Sequence, residues 1–347
     1  MSSIKITNVY KRFGSIEALG GISFNSKENE FITVLGPSGC GKTTMLRSIA
    51  GLENIDKGKI EIDDIDVTCT EPKDRNIAMV FQNHSLYPQK TVYKNLEFPL
   101  KILKQNKNQI REKVIKVAKL LEIEDLLNRK PNTLSGGQKQ RVAIGKAMMK
   151  NPKVFLFDEP LSNLDASLRD KMIFEIKKLH NELNSVFIYV THDQNEAMSL
   201  GDRIIVMQNG NIQQVGTPFE IYNNPKNIFV ASFVGNPKIN IINKDMYTKL
   251  FNSKTDLEEN ITYGIRPEHL TIKEYKNQKE FGVIKSIEDR GRELVYNVSY
   301  NEYEIKVCCP RDNNKKEFLE NDKVVCNGDI KKLIKFNLSG NSINFGG

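Results

Sequence analysis

Between the apolar run Phe31-Ile32-Thr33-Val34-Leu35 and a helix-like stretch at residues 42–50 stand eight residues, Gly36-Pro37-Ser38-Gly39-Cys40-Gly41-Lys42-Thr43. Glycine, four residues, then Gly-Lys-Thr is the phosphate-loop spacing, and its place between strand and helix constrains the chain more than any other feature. The glycines let backbone N–H groups curl around an anion without Cβ clashes. The helix that follows turns its positive end toward the same anion. Lys42 can reach the outer phosphates of a polyphosphate, and the Thr43 hydroxyl can ligate Mg²⁺.

Three further apolar runs end in residues with chemistry to offer. Residues 154–157 lead into Asp158 and Glu159, residues 186–190 into Thr191-His192-Asp193, and Met79-Val80-Phe81 into Gln82. Strand-like runs alternate with helical stretches at residues 105–127 and 167–184, and residues 204–207 make another run, so a mainly parallel α/β sheet is expected. Ligands of such sheets gather at the carboxyl ends of the strands. Asp158 is then a second holder of Mg²⁺. Glu159 is the candidate to polarise an attacking water. His192 is a contact for the terminal phosphate, and the Gln82 amide suits both metal and water. Leu134-Ser135-Gly136-Gly137-Gln138 opens another helix, with Ser135 as N-cap and two glycines leaving the amides uncovered, a second place for a phosphate.

Composition removes several alternatives. Among 347 residues, 39% are hydrophobic and 27% charged, ordinary for a folded protein. No apolar run approaches the roughly 20 residues of a membrane helix, and the N-terminus shows no leader-like pattern. Cys40, Cys69, Cys308, Cys309 and Cys326 are odd in number and lack zinc spacing, which suits a reducing compartment. With four histidines a His-rich metal site is excluded. The net charge of +8 splits into +6 over residues 1–235 and +2 over residues 236–347. Seven basic residues against Glu112 alone at residues 101–119 read as a solvated helix face rather than a nucleic-acid stripe. Pro218, Pro225 and Pro237 mark a seam, and beyond it short strand-like runs at residues 261–265, 282–287, 294–298, 303–307, 323–326 and 330–336 predict a small all-β barrel.

Taken together, the phosphate loop, Gln82, Leu134 to Gln138, Asp158-Glu159, Asp165 and His192 resemble, in order and spacing, the nucleotide-binding subunit of an ATP-binding cassette (ABC) transporter. The resemblance implies a P-loop cassette at residues 1–235, with a helical subdomain at about 84–150, and an oligonucleotide-binding-like (TOBE) barrel at residues 236–347. It implies ATP and Mg²⁺ as cofactors and a head-to-tail homodimer. Each ATP would lie between residues 36–44 of one copy, Thr44 included, and Ser135-Gly136-Gly137-Gln138 of the other. Phe13, where the family more often has Tyr, would stack on adenine, and Leu161-Ser162-Asn163-Leu164-Asp165 would link the two sites. Residues 216–222, 229–235 and 263–269 are similar to the maltose-type sugar importer ATPases, as is the stretch from Phe81 to Pro88. That implies an ATPase on the cytoplasmic face of the membrane, gripping two permease subunits through residues 83–100 and serving an extracellular solute-binding protein indirectly. Gln89 stands where that family usually has His, and Thr43-Thr44 resembles the polyamine and ferric iron importers as much as the sugar ones. A soluble cassette acting on nucleic acid is disfavoured by the single cassette and by a tail without a basic cluster.

Overall fold

The computed structural model describes residues 2–81, 85–162, 164–251, 260–276, 278, 280–312 and 317–343. Contacts gather into two compact units, Met1–Pro218 and Phe219–Gly347.

The first unit opens with strands β1 (Ile4–Phe13) and β2 (Ile16–Asn25), then β3 (Phe31–Leu35), β4 (Lys57–Ile62), β5 (Ile65–Asp66) and β6 (Ile77–Val80). It continues with β7 (Val154–Asp158), β8 (Val186–Thr191), β9 (Arg203–Gln208) and β10 (Asn211–Gly216). Two sheets result, an antiparallel one in the order β2-β1-β4-β5 and a larger one in the order β10-β9-β3-β8-β7-β6. In the larger sheet β3, β6, β7, β8 and β9 run parallel and β10 returns antiparallel. Every residue of β3 and β8 is buried, as expected where helices cover both faces. The turn between β9 and β10 is Asn209-Gly210, both at positive φ (46° and 75°), the arrangement a two-residue hairpin requires.

Helices α1 (Lys42–Ala50), α2 (Val92–Ile102), α3 (Lys107–Leu120), α4 (Gly136–Met148), α5 (Ala166–Glu182) and α6 (Gln194–Leu200) complete the first unit. α2, α3 and α4 lie in the stretch expected to be helical, and Leu96, Leu100, Val114 and Val142 join one core with Phe155 and Phe187 of the sheet. The helical pattern expected over residues 105–127 is interrupted, with α3 followed by a 3₁₀ turn at Glu124–Leu126. Arg75, 4% exposed, donates to the carbonyls of Ser48 and Ile49 (both 2.9 Å), satisfying the C-terminal end of α1 with a cation on its negative pole.

The second unit holds α7 (Pro218–Asn223) from its second residue on, α8 (Ile228–Phe233) and α9 (Lys244–Phe251). Its strands are β11 (Asn240–Ile242), β12 (Thr262–Ile265), β13 (Leu270–Glu274), β14 (Gly282–Asp289), β15 (Glu293–Tyr300), β16 (Tyr303–Pro310), β17 (Lys323–Gly328) and β18 (Ile334–Phe336). These pair antiparallel into sheets β11-β12-β18 and β13-β17-β14-β15-β16. The strand expected over residues 330–336 is a 3₁₀ turn at Ile330–Lys332 followed by β18, because the Asp329 side chain accepts from the Lys331 N–H (3.0 Å) and winds the backbone there.

The guanidinium of Arg266, 2% exposed, organises this unit. Its Nη1 donates to the Ala231 carbonyl at 3.1 Å and to that of Val234, its Nη2 donates to Tyr222 O at 2.7 Å, and it lies 4.0 Å above the Tyr222 ring. Three backbone acceptors of the α7–α8 segment thus depend on one side chain, and removing it strands buried carbonyls. Arg266→Met is expected to lower the stability of the full chain by about 3 kcal/mol. Urea unfolding followed by tyrosine fluorescence, which the absence of tryptophan leaves unobscured, checks this. An unchanged midpoint would mean that α7 and α8 hold without it.

Candidate nucleotide site

The phosphate loop runs from the buried strand β3 into α1. Gly41 caps the helix at φ 102° and ψ 0°, and a Cβ there would lie 2.4 Å from the Ala18 carbonyl oxygen, so both conformation and space demand glycine. No side chain caps α1, and its first turn carries no acidic residue. The first amides of the helix are therefore left for an external acceptor. Lys42, 5% exposed, folds its Nζ into the loop, donating to Gly36 O (2.8 Å) and Pro37 O (3.0 Å). Cys40 is buried, its Sγ 3.9 Å from the Lys42 Nζ, and burial raises its thiol pKa.

Two strands away in the same sheet, β7 delivers its acids beside this loop. Thr43 Oγ1 donates to Asp158 Oδ1 at 3.0 Å, which brings the first residues of α1 and the end of β7 together as expected from the strand-end pattern. Burial lifts the Asp158 pKa above the carboxylate norm, opposed first by the Thr43 hydrogen bond and reinforced by Glu159. A partly buried carboxyl that its surroundings do not fully compensate, next to a hydroxyl, is a donor pair suited to a hard divalent cation. Among the described residues no group of three His, Cys, Asp or Glu could form a protein-only metal cage. Such a pair fits Mg²⁺, which keeps most of its coordination for phosphate and water oxygens.

Glu159 leaves the sheet with φ 45°, in the left-handed region that non-glycine residues seldom adopt. Its N–H donates to Val190 O (3.0 Å) of β8, and its carbonyl accepts from Ser162 Oγ (3.0 Å), which together hold the turn. The turned side chain meets the next strand end, with Glu159 Oε2 3.0 Å from His192 Nδ1. With Nδ1–H donating to the carboxylate, the other imidazole nitrogen, Nε2, is the one available to a ligand.

Ser135 and Gln138 form a reciprocal capping box at the start of α4. Ser135 Oγ accepts from the Gln138 N–H at 3.4 Å, and Gln138 Oε1 accepts from the Ser135 N–H at 3.0 Å. Gly136 and Gly137 follow, and a Cβ on either would come within 2.8 Å of Leu164 or Leu168 of the same chain. Phe13 ends β1 beside the Gly14 turn, 46% exposed, with Lys11 Nζ 5.0 Å above its ring. Gln82, Asn83, His84 and Asn163 lie outside the described residues. In the rest of the expected permease-contact stretch, the Tyr87 and Phe98 rings meet edge-on at 4.7 Å. Lys90 lies over both, and Lys146 lies 4.2 Å over Tyr87 while donating to Ser85 O at 2.7 Å.

Sequence reasoning passed over Arg169 and Glu196, which the structure places directly behind His192. Two signals were available: Asp193 followed three residues later by Glu196 is an N-cap pattern, and Arg169 stands one turn after the N-cap Asp165.

Comparison with known proteins gives this geometry its family. Residues 19–162 match the ABC transporter family model. The sn-glycerol-3-phosphate import ATP-binding protein UgpC of Psychromonas ingrahamii is 46% identical over 305 residues, 85% of this chain and 82% of that protein. The trehalose/maltose import ATP-binding protein MalK of Thermococcus litoralis is 48% identical over 294 residues, 78% of this chain and 79% of that protein. Among solved structures, the dimeric post-hydrolysis state of the ATP-binding cassette MJ0796 bound to ADP and Pi superposes with a TM-score of 0.55 at 36% identity, over 62% of this chain and 98% of that one. The chain thus belongs to the ATP-binding cassette (ABC) transporter family, among its import ATP-binding subunits, and is an ATPase.

Proposed function

We propose that two copies of this chain enclose two ATP molecules, and that closing and reopening of the pair drives solute import through two membrane permeases. The solute proposed is a sugar or a sugar derivative such as a phosphorylated polyol, from the import proteins it is similar to. The observation that carries the chemistry is the Glu159–His192 contact of 3.0 Å, formed at adjacent strand ends beside the Thr43–Asp158 contact of 3.0 Å. Gly36 to Thr44 bind the phosphates through backbone amides, and Lys42 exchanges its loop carbonyls for phosphate oxygens. Thr43 and Asp158 would hold Mg²⁺, with Gln82 as a further holder, and the ion would supply charge neutralisation at the transferring phosphoryl group. Glu159 orients the attacking water, and His192 contacts the terminal phosphate through Nε2. Phe13 stacks on the base of the nucleotide held by its own phosphate loop, while Ser135, Gly136, Gly137 and Gln138 close over the nucleotide of the opposite copy.

Catalysis in such a site is positioning and electrostatics. A single copy lacks half of the donors, so the terminal phosphate makes contacts in the closed pair that it cannot make in the open one. That difference is what shifts a two-state equilibrium. The permease would be gripped by residues 83–100, where the Tyr87 and Phe98 rings are edged with the cations of Lys90 and of Lys146 from α4. The cassette would then work at the cytoplasmic face, and no helix among the described residues is long and apolar enough to cross a membrane.

Specific ATPase activity measured against protein concentration tests the shared site. Activity per chain is expected to climb with concentration as dimers form. A monomer, verified by light scattering, that turns over ATP at a concentration-independent rate would rule the shared site out.

A further inference from the structure

A partly buried cluster of charge stands behind the Glu159–His192 pair, and no part of the hydrolysis scheme above uses it. Arg169, in the opening turn of α5, is its centre. Its Nη1 contacts Asp193 Oδ2 at 3.1 Å, and its Nη2 donates to the Leu164 carbonyl at 3.1 Å. Its Nε lies 3.6 Å from Glu196 Oε1 and has no hydrogen-bond partner among the described residues. Glu196, 3% exposed, accepts from the Tyr189 hydroxyl (2.9 Å) and the Thr191 hydroxyl (2.7 Å). The Thr191 oxygen accepts in turn from the Asp193 N–H at 2.9 Å. The residues before and after His192 are therefore both fixed through this cluster. A polar cavity of about 20 Å³, room for one water, lies among Glu159, Ser162, Arg169, His192, Asp193 and Glu196.

The other side of Arg169 leads to the helix tip proposed to serve the opposite copy. Leu164, whose carbonyl Arg169 holds, packs so closely on α4 that its Cδ2 lies 2.8 Å from where a Cβ of Gly136 would stand. Leu168, one residue before Arg169, is placed likewise against Gly137. A displacement of the Gly136-Gly137 tip is thereby passed by side-chain contact to Leu164, by a charge-assisted bond to Arg169, and by an ion pair to Asp193, next to His192.

We propose that Arg169 is a positioning residue that sets His192 according to the engagement of the α4 tip, so that each nucleotide site registers whether its own chain is closed over the neighbouring one. This rests on the shared-site dimer proposed above. Arginine suits the task because its planar fork addresses a carboxylate and a carbonyl at once, which a lysine ammonium on a flexible stem does not reproduce.

The experiment compares the full-length wild type with Arg169→Met and Arg169→Lys in steady-state ATP hydrolysis, with nucleotide affinity measured separately using a fluorescent ATP analogue. Arg169→Met is expected to lower kcat about 10- to 100-fold, the range for a small misplacement of a reacting group. Analogue affinity should change less than about twofold, since the hydrogen bonds and ion pairs of Arg169 among the described residues go to Leu164, Asp193 and Glu196 rather than to residues 36–44, and the Hill coefficient for ATP should fall toward one. Arg169→Lys should recover part of kcat but not the cooperativity. If both variants keep wild-type kcat and Hill coefficient, the inference is overturned; it is equally overturned if affinity and kcat fall in parallel, the sign of general damage. Should Arg169→Met fail to fold, the buried Glu196 having lost its cation, Arg169→Lys decides alone by the same criteria. A wild type whose activity is independent of concentration defeats the dimer itself, a result distinct from the variants' behaviour, and the inference falls with it.

Discussion

Glu159→Gln protein is expected to bind ATP as the wild type does and to hydrolyse it at least about 100-fold more slowly, the scale of a lost general base. The substitution keeps length, and its amide oxygen can still accept from His192 Nδ1–H, now 3.0 Å from Glu159 Oε2. Only the capacity to draw a proton from water disappears. Since the terminal phosphate stabilises the closed pair and is no longer removed, the variant should also accumulate as an ATP-dependent dimer. Size-exclusion chromatography with and without ATP reads that state, and phosphate release reads the rate. Turnover near that of the wild type would remove Glu159 from its role.

Ser135→Arg should give a loss of similar size by a different route. Ser135 is half of the capping box, and losing a cap costs about 1 kcal/mol, too little to unfold α4 within a packed unit. A cation at the positive end of the helix opposes the dipole, and the long side chain covers the amides meant for the opposite nucleotide. Removal of one such donor set lowers turnover about 100- to 1,000-fold. Binding of ATP to the variant's own phosphate loop should persist. Mixing makes the test specific: a dimer of one Ser135→Arg chain and one Glu159→Gln chain contains one intact composite site. Two inactive preparations mixed in equal amounts should regain roughly a quarter of wild-type activity if subunits exchange freely in a symmetric dimer. A mixture as inactive as its components would mean that the sites are not shared.

The loop from Gly36 to Thr43 was legible because its chemistry is local: a strand, a glycine turn and a helix N-terminus within twenty residues. The acids at the end of β7 and the histidine after β8 were legible because a parallel sheet puts strand ends at one edge. The 3.0 Å contact of Glu159 with His192 was not, since it depends on a left-handed backbone at a residue type that avoids it. Arg169 stayed hidden for another reason. Its partners lie 5 and 24 residues away on different elements, and a lone arginine in an amphipathic helix reads as surface. The compact units divide at Pro218, at the start of the proline-marked stretch from Pro218 to Pro237, and α7 and α8 share as hydrogen-bond partner Arg266, more than thirty residues downstream.

The left-handed turn at Glu159 carries an evolutionary corollary. Asparagine or glycine would occupy φ 45° at less cost, by about 1 kcal/mol, so selection for robustness alone would steer this position away from a carboxylate of full reach. A survey of variants ranked by heat tolerance should therefore favour replacements here that silence the motor, and thermal hardening of this chain by directed evolution would need a turnover screen in every round.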